Sequence, residues 1–178
     1  KLSGVSEVRQ ITDLTDPTSV RTAMKGIDVV IHLAARAHVM DDQSSNPLAE
    51  YRRINVDGTK AVAEAARDAG VKRLVFLSSI KVNGEQTFDK PYTASDTPAP
   101  EDAYGISKAE AEKMLTEIST RTGLEIVIIR TPLVYGPGVR ANFLSLMSLA
   151  NGGLPLPFGA LTKNRRSLIY IGNLVDIL

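Results

Sequence analysis

Lys72-Arg73-Leu74-Val75-Phe76-Leu77-Ser78 decides the fold: a short apolar run that reads as a buried strand, entered from a long helical pattern that stops at Gly70. The same alternation repeats on either side. Upstream, residues 27–33 read as a strand, followed by a polar loop at 41–45 and a helix over 47–69. Earlier still, residues 5–11 read as a strand, and Asp16-Pro17 supplies an N-cap and a first-turn proline for a helix that runs to Lys25 and stops at Gly26. Downstream, a Gly, Pro and Thr-rich loop over 84–100 leads to a helix over 101–122 and a strand over 124–130. Strands alternating with amphipathic helices predict an α/β chain of repeated βα units around a mainly parallel sheet buried on both faces.

The texture changes after Arg130. Pro132, Gly136, Pro137 and Gly138 precede a short apolar helix over 142–150, a strand over 167–171 and the beginning of another helix. We expect two domains, residues 1–135 carrying the sheet and 136–178 opening a smaller lobe. The loop over 84–100 is long enough to be functional.

Bulk composition narrows the function classes. With 178 residues, 43% hydrophobic content and 13 glycines, the chain can bury a sizeable core. Its 21 basic and 20 acidic residues nearly cancel, which argues against a broad field for nucleic acid or an anionic membrane. The absence of cysteine excludes a disulfide framework, a thiolate metal site and a Cys nucleophile, and suits a reducing, cytoplasmic setting. Apolar runs such as residues 126–129 are far shorter than the roughly 20 residues of a spanning helix, so no membrane partner is expected. His32 and His38 lack a carboxylate at ligand spacing, so neither a metal nor a catalytic role is assigned to them. Asp41 and Asp42 read as a solvated turn.

Chemistry concentrates in Tyr104-Gly105-Ile106-Ser107-Lys108, where an i, i+4 pair near a helix start places a phenol and an ammonium on one face. A tyrosine of pKa about 10 becomes a useful acid/base near neutrality only when a neighbouring cation favours its phenolate. Lys108 can do this; the competing reading is a helix whose tyrosine packs and whose lysine is solvated. Ser78-Ser79 closes the strand over 72–78, and in open α/β sheets the carboxyl ends of strands form the ligand crevice. There the alternative is a serine that only satisfies local backbone.

These residues resemble the extended short-chain dehydrogenase/reductase family, in particular its nucleotide-sugar epimerases, dehydratases and ketoreductases. The resemblance covers nearly the whole chain. It rests on Asp13-Leu14, His32-Leu33-Ala34-Ala35, Asn55-Val56-Asp57-Gly58-Thr59, Phe76-Leu77-Ser78-Ser79, Tyr104 to Lys108, and Arg130-Thr131-Pro132 with Val134-Tyr135-Gly136-Pro137-Gly138. It implies a Rossmann-like, doubly wound parallel sheet. It also implies Ser79 as the active-site hydroxyl, Tyr104 as general acid/base and Lys108 as the lysine that holds the nicotinamide ribose and lowers the tyrosine pKa. Asp13 and Leu14 would meet the adenine; Leu33, Ala34 and Ala35 would line the dinucleotide, with Asn55, Ser78, Thr131, Pro132 and Leu133 also on the cofactor side. Lys81, Arg140, Asn142, Phe143 and Arg166 would join Ser79 and Tyr104 toward the sugar nucleotide, although Arg165-Arg166 reads equally as a solvated basic turn. The implied cofactor is NAD, with NADP left open. The implied partner is a UDP-linked sugar, and the helices over 47–69 and 101–122 resemble the family's homodimer interface.

The family opens with a strand, a G-x-x-G-x-x-G turn and a helix that receives pyrophosphate, whereas Gly4 is the only glycine here before Gly26. We therefore expect an incomplete sheet, lacking its first βαβ portion and most of the second lobe. Such a piece need not bind cofactor by itself. Sugar dehydratases of the family carry an acidic pair directly after the active-site hydroxyl, whereas Ile80-Lys81-Val82 follows Ser79, which disfavours dehydration. A 4-epimerase and a 4-ketoreductase share one half-reaction, and the segment from Asn164 to Asp176 leans toward UDP-sugar enzymes with epimerisation first. The reading from another class is a non-catalytic Rossmann-like binding protein, which the Ser79, Tyr104 and Lys108 set opposes.

Overall fold

The computed structural model describes residues 7–37, 44–139, 141–152 and 164–178, with backbone alone at 141–143 and 146. The start of the expected first strand, His38, the Asp41-Asp42 turn, Arg140 and the side chains of Asn142 and Phe143 lie outside the described residues. The chain divides into two compact units, residues 1–130 and 131–178.

In the first unit, the carboxylate of Asp16 accepts from the backbone N–H groups of Thr18 and Ser19, and Pro17 presets the first turn of α1 (Pro17–Ala23). Strand β1 (Val29–His32) follows and pairs in parallel with β2 (Arg73–Ser79), Val29 opposite Arg73 and His32 opposite Phe76. The connection between them begins with Asn46, whose side chain accepts from the Ala49 N–H, and with Pro47. It runs as α2 (Pro47–Arg52), a π-helical turn over Arg53–Gly58, and α3 (Thr59–Asp68). The single helix expected over 47–69 is thus interrupted by a wider turn, which carries Asn55 and Gly58. A Cβ on Gly58 would come within 2.9 Å of the Leu14 side chain, so a larger residue there would require Leu14 to shift.

Helix α4 (Ala103–Thr122) starts two residues later than expected because Asp102 is its cap, accepting from the Gly105 N–H at 2.6 Å. It ends at Gly123, whose φ of +77° is the left-handed conformation that closes the helix. Strand β3 (Glu125–Thr131) then extends the sheet in the order β1-β2-β3. Val20 of α1, Val62 and Ala66 of α3, Leu74 and Phe76 of β2, and Leu115 and Ile118 of α4 are all buried in one core. The expected α/β class with parallel pairing is therefore observed.

The strand expected over 5–11 is not: residues 7–11 form no ladder. A strand needs a neighbour, and among the described residues β1 pairs only with β2, leaving its outer edge open with Val29, Ile31 and Leu33 exposed. Residues 7–11 are tethered instead by Arg9, whose guanidinium donates to the carbonyls of Ala23 and Lys25, and by Ile11 against the core.

In the second unit, β4 (Leu133–Tyr135) pairs in parallel with β5 (Leu168–Tyr170), and the rings of Tyr135 and Tyr170 lie 5.7 Å apart. The expected helix over 142–150 is α5 (Ala141–Asn151), and α6 (Ile171–Ile177) follows β5 and buries Leu174. Strand β4 was not expected, since its three residues sit between Pro132 and Gly136 and are paired only by a segment far along the chain.

Candidate active site

The first turns of α4 and the carboxyl end of β2 meet, and they bring Ser78, Ser79, Tyr104 and Lys108 together. Residues four apart share a helix face, so Tyr104, Lys108 and Glu112 form one file pointing at β2. Lys108 is only 2% exposed. Its ammonium donates to the Leu77 carbonyl at 2.9 Å, lies 4.4 Å from the centroid of the Phe76 ring and 6.0 Å from that of Tyr104. Burial brings its pKa down to about 8, with the Glu112 carboxylate pulling the other way. An ammonium carries three N–H donors, and among the described residues only the Leu77 carbonyl takes one.

Tyr104 is half-buried and its phenol is hydrogen-bonded to the Ser79 side chain. Burial and the Asp102 charge hold it above the ordinary tyrosine value, against the Ser79 hydrogen bond and the Lys81 cation. That direction is opposite to the lowering expected of a ready base, because desolvation and the Asp102 charge outweigh the Ser79 hydrogen bond and the Lys81 cation. Tyr51 packs edge-on to Tyr104, with centroids 6.1 Å apart, and the Arg36 guanidinium covers the other ring 5.4 Å from its centroid.

Ser78 and Ser79 point to opposite faces, as successive strand residues must. The Ser78 hydroxyl donates to Glu112 at 2.5 Å, whereas Ser79 caps the 3-10 turn Ile80–Val82. Asn55, fully buried, accepts from the Arg36 N–H at 2.8 Å and donates to the Arg36 carbonyl and the Ser107 hydroxyl. Its amide thereby clamps the loop leaving β1 onto α4. Lys81 is engaged by Asp102 and Glu85, at 2.5 and 2.7 Å. His32 is buried against Thr59 and the Phe76 ring, and its pKa falls to about 4 through burial and the Lys108 charge.

The remaining expected residues spread outward. Asp13 is exposed, with its carboxylate taken by the backbone and hydroxyl of Thr15, while Leu14 packs beside Gly58. Leu33, Ala34 and Ala35 are exposed just past β1. Thr131, Pro132, Leu133 and the exposed Arg166 belong to the second unit. No group of three His, Cys, Asp or Glu side chains suited to a metal occurs among the described residues. Sequence reading missed Arg36, Tyr51, Asp102 and Glu112; Glu112 alone had a signal, standing eight residues after Tyr104 on the same face.

A family model described as NAD dependent epimerase/dehydratase matches residues 5–178. The chain belongs to the NAD dependent epimerase/dehydratase family. Within that family it is 52% identical over 170 residues to a UDP-glucose 4-epimerase of Vibrio cholerae, covering 95% of this chain and 52% of the relative. An Escherichia coli O157:H7 relative, N-acetyl-alpha-D-glucosaminyl-diphospho-ditrans,octacis-undecaprenol 4-epimerase, is 35% identical over 97% of this chain and 50% of its own. The chain thus spans about half the length of these curated relatives. A dTDP-glucose 4,6-dehydratase from Streptomyces venezuelae, solved with NAD, superposes with a TM-score of 0.76 at 28% identity, over 92% of this chain and 51% of that one. The Thermotoga maritima UDP-glucose 4-epimerase solved with UDP-glucose gives the same TM-score at 25% identity, over 93% and 55%. The Rossmann-like architecture follows for this member of the family. No described helix is long and apolar enough to cross a membrane.

Proposed function

We propose that this chain carries the catalytic groups of a nucleotide-sugar 4-epimerase that acts on a UDP-linked sugar with NAD. The observation that carries the reading is a buried lysine whose ammonium donates to the Leu77 carbonyl alone among the described residues, set beside a tyrosine already hydrogen-bonded to a strand-end serine. Buried donors are rarely left without acceptors, and a pair of ribose hydroxyls suits Lys108. The small, exposed Ala34 and Ala35 past β1 let a dinucleotide approach backbone. Asn55 supports that approach by clamping Arg36, and Asp13 and Leu14 face the adenine end.

Bound NAD supplies the acceptor, and later the donor, of a hydride. Tyr104 takes the proton of the sugar C4 hydroxyl as that carbon gives up its hydride, leaving a 4-keto sugar. Ser79 donates a hydrogen bond to the same oxygen, and Lys108 stabilises the tyrosinate that must form. With the cofactor returning what it took, Tyr104 would give the proton back to the same oxygen once the ketone has turned over, so atoms and electrons balance with no co-substrate. The identity to UDP-glucose 4-epimerase supports UDP-linked sugars. Dehydration is less favoured because Ile80-Lys81-Val82 follows Ser79 and Lys81 is held by two acids. We also propose a cytoplasmic homodimer built on the helical connection over 47–69 and on α4, which light scattering of the full natural protein tests.

The deciding experiment uses the full natural protein, UDP-glucose as probe, and Tyr104→Phe. Conversion to the C4 epimer should fall about a thousandfold, within the range for losing a general acid/base, while NADH binding stays within about twofold. Unchanged turnover in the variant would remove Tyr104 from the mechanism. NADH binding without any turnover by the natural protein would favour a binding module.

A further inference from the structure

Glu112 is a charged side chain, 5% exposed, that the proposed mechanism does not use. It accepts from the Ser78 hydroxyl at 2.5 Å and from Arg130, whose Nη2 approaches at 2.7 Å and whose Nε lies 3.1 Å from both carboxylate oxygens. Arg130 also donates to the Asn83 side chain at 3.2 Å, and Asn83 reaches the Thr93 carbonyl of the loop after β2. A buried ion pair is weak grounds for stability, since apolar side chains of similar volume often serve as well. This one is placed where it governs orientation.

We propose that Glu112 is a positioning residue for the active site: held by Arg130, it anchors Ser78 at the end of β2, next to the Ser79 that bonds Tyr104, and it sets a negative charge one helical turn beyond the Lys108 ammonium. The first half follows from the hydrogen bonds at the strand end, because the Ser78 hydroxyl held by Glu112 ties the end of β2 to α4, and the next residue, Ser79, is hydrogen-bonded to Tyr104 of that helix. The second follows from helix geometry, Glu112 lying one turn beyond Lys108 on the same buried face. The other groups facing Lys108 are the Phe76 ring and Leu77 carbonyl of β2, His32 of β1, and Tyr104 of its own helix. His32 is neutral above about pH 4, so Glu112 is the negative charge that opposes the cost of burying the cation.

The inference rests on the epimerase reading for its kinetic test and on geometry alone for its second readout. In the full natural protein, Glu112→Gln should lower kcat about tenfold with the KM for UDP-glucose within about twofold, and Glu112→Asp should recover most of it. NMR of the Lys108 side chain should show its titration midpoint moving to lower pH in Glu112→Gln. That signal does not depend on turnover, so it stands even if the protein proves not to be an epimerase. A variant that loses only thermal stability, with kcat and the Lys108 midpoint unchanged, overturns the proposal. If Glu112→Gln fails to fold, Glu112→Met with Arg130→Met removes the pair without leaving a buried charge, and unchanged kcat there overturns it equally.

Discussion

The two ends of the buried face of α4 differ in kind. Near its N-terminus the face holds Tyr104, Lys108 and Glu112; further along it holds Leu115 and Ile118, packed with Leu74 and Val62 in the core. Burying the second set releases apolar surface from water and stabilises the fold, whereas burying an ammonium costs free energy unless something compensates. One helix thus combines a segment whose interior residues favour folding with one whose interior residues oppose it, and only the latter holds chemical groups. Sites of that kind trade stability for function.

The largest effect that would break this contrast is on Lys108. Lys108→Met should reduce turnover about a thousandfold, since it removes the cation from the tyrosinate, yet leave the thermal midpoint unchanged or higher. A midpoint lowered as far as by a core deletion would erase the distinction. At the other end, Leu115→Ala should cost about 3 kcal/mol in denaturant unfolding, with KM for the sugar unchanged in the folded fraction. Asn55→Ala sits between the two classes, because it removes the acceptor of the Arg36 N–H and one donor to the Ser107 hydroxyl, which keeps its bond to the Tyr104 carbonyl; about 2 kcal/mol should be lost together with NADH affinity. A loss of stability with full NADH affinity would make Asn55 purely structural.

The smallest effect concerns pH. His32 is held neutral, with a folded value of about 4 against 6.5 unfolded, so its contribution to stability is complete above about pH 6.5 and lost as pH falls toward 4. The slope from this one group is at most about 1.4 kcal/mol per pH unit. His32→Asn should flatten the difference in unfolding free energy between pH 5 and pH 7, and equal slopes would show that His32 already carries its proton when folded.

Much of the architecture was legible because it depends on neighbours in sequence. The Asp16-Pro17 start of α1 and the Gly123 stop of α4 are local chemistry, and the alternation around residues 72–78 announces the sheet. What was not legible depends on partners distant in the chain. Residues 7–11 carry strand-like side chains without a ladder to join, and the three residues of β4 form a strand only because 168–170 pair with them. In the site, the Tyr104-Lys108 spacing placed both groups correctly on one face. Glu112 follows Tyr104 by eight residues on that face, but its burial rests on Ser78 and on Arg130 from the next strand, partners that its own neighbours in sequence do not announce. Lys81, read as substrate-facing, is held by Asp102 and Glu85, neither of which its sequence neighbours announce.

The open edge of β1 has a consequence for anyone who handles this polypeptide. Among the described residues the outer edge of β1 has no strand partner, and with Val29, Ile31 and Leu33 exposed it can pair with another molecule, an encounter that scales with the square of concentration. Working dilute, or placing a lysine at Ile31, should therefore govern how much of the chain stays in solution before any assay begins.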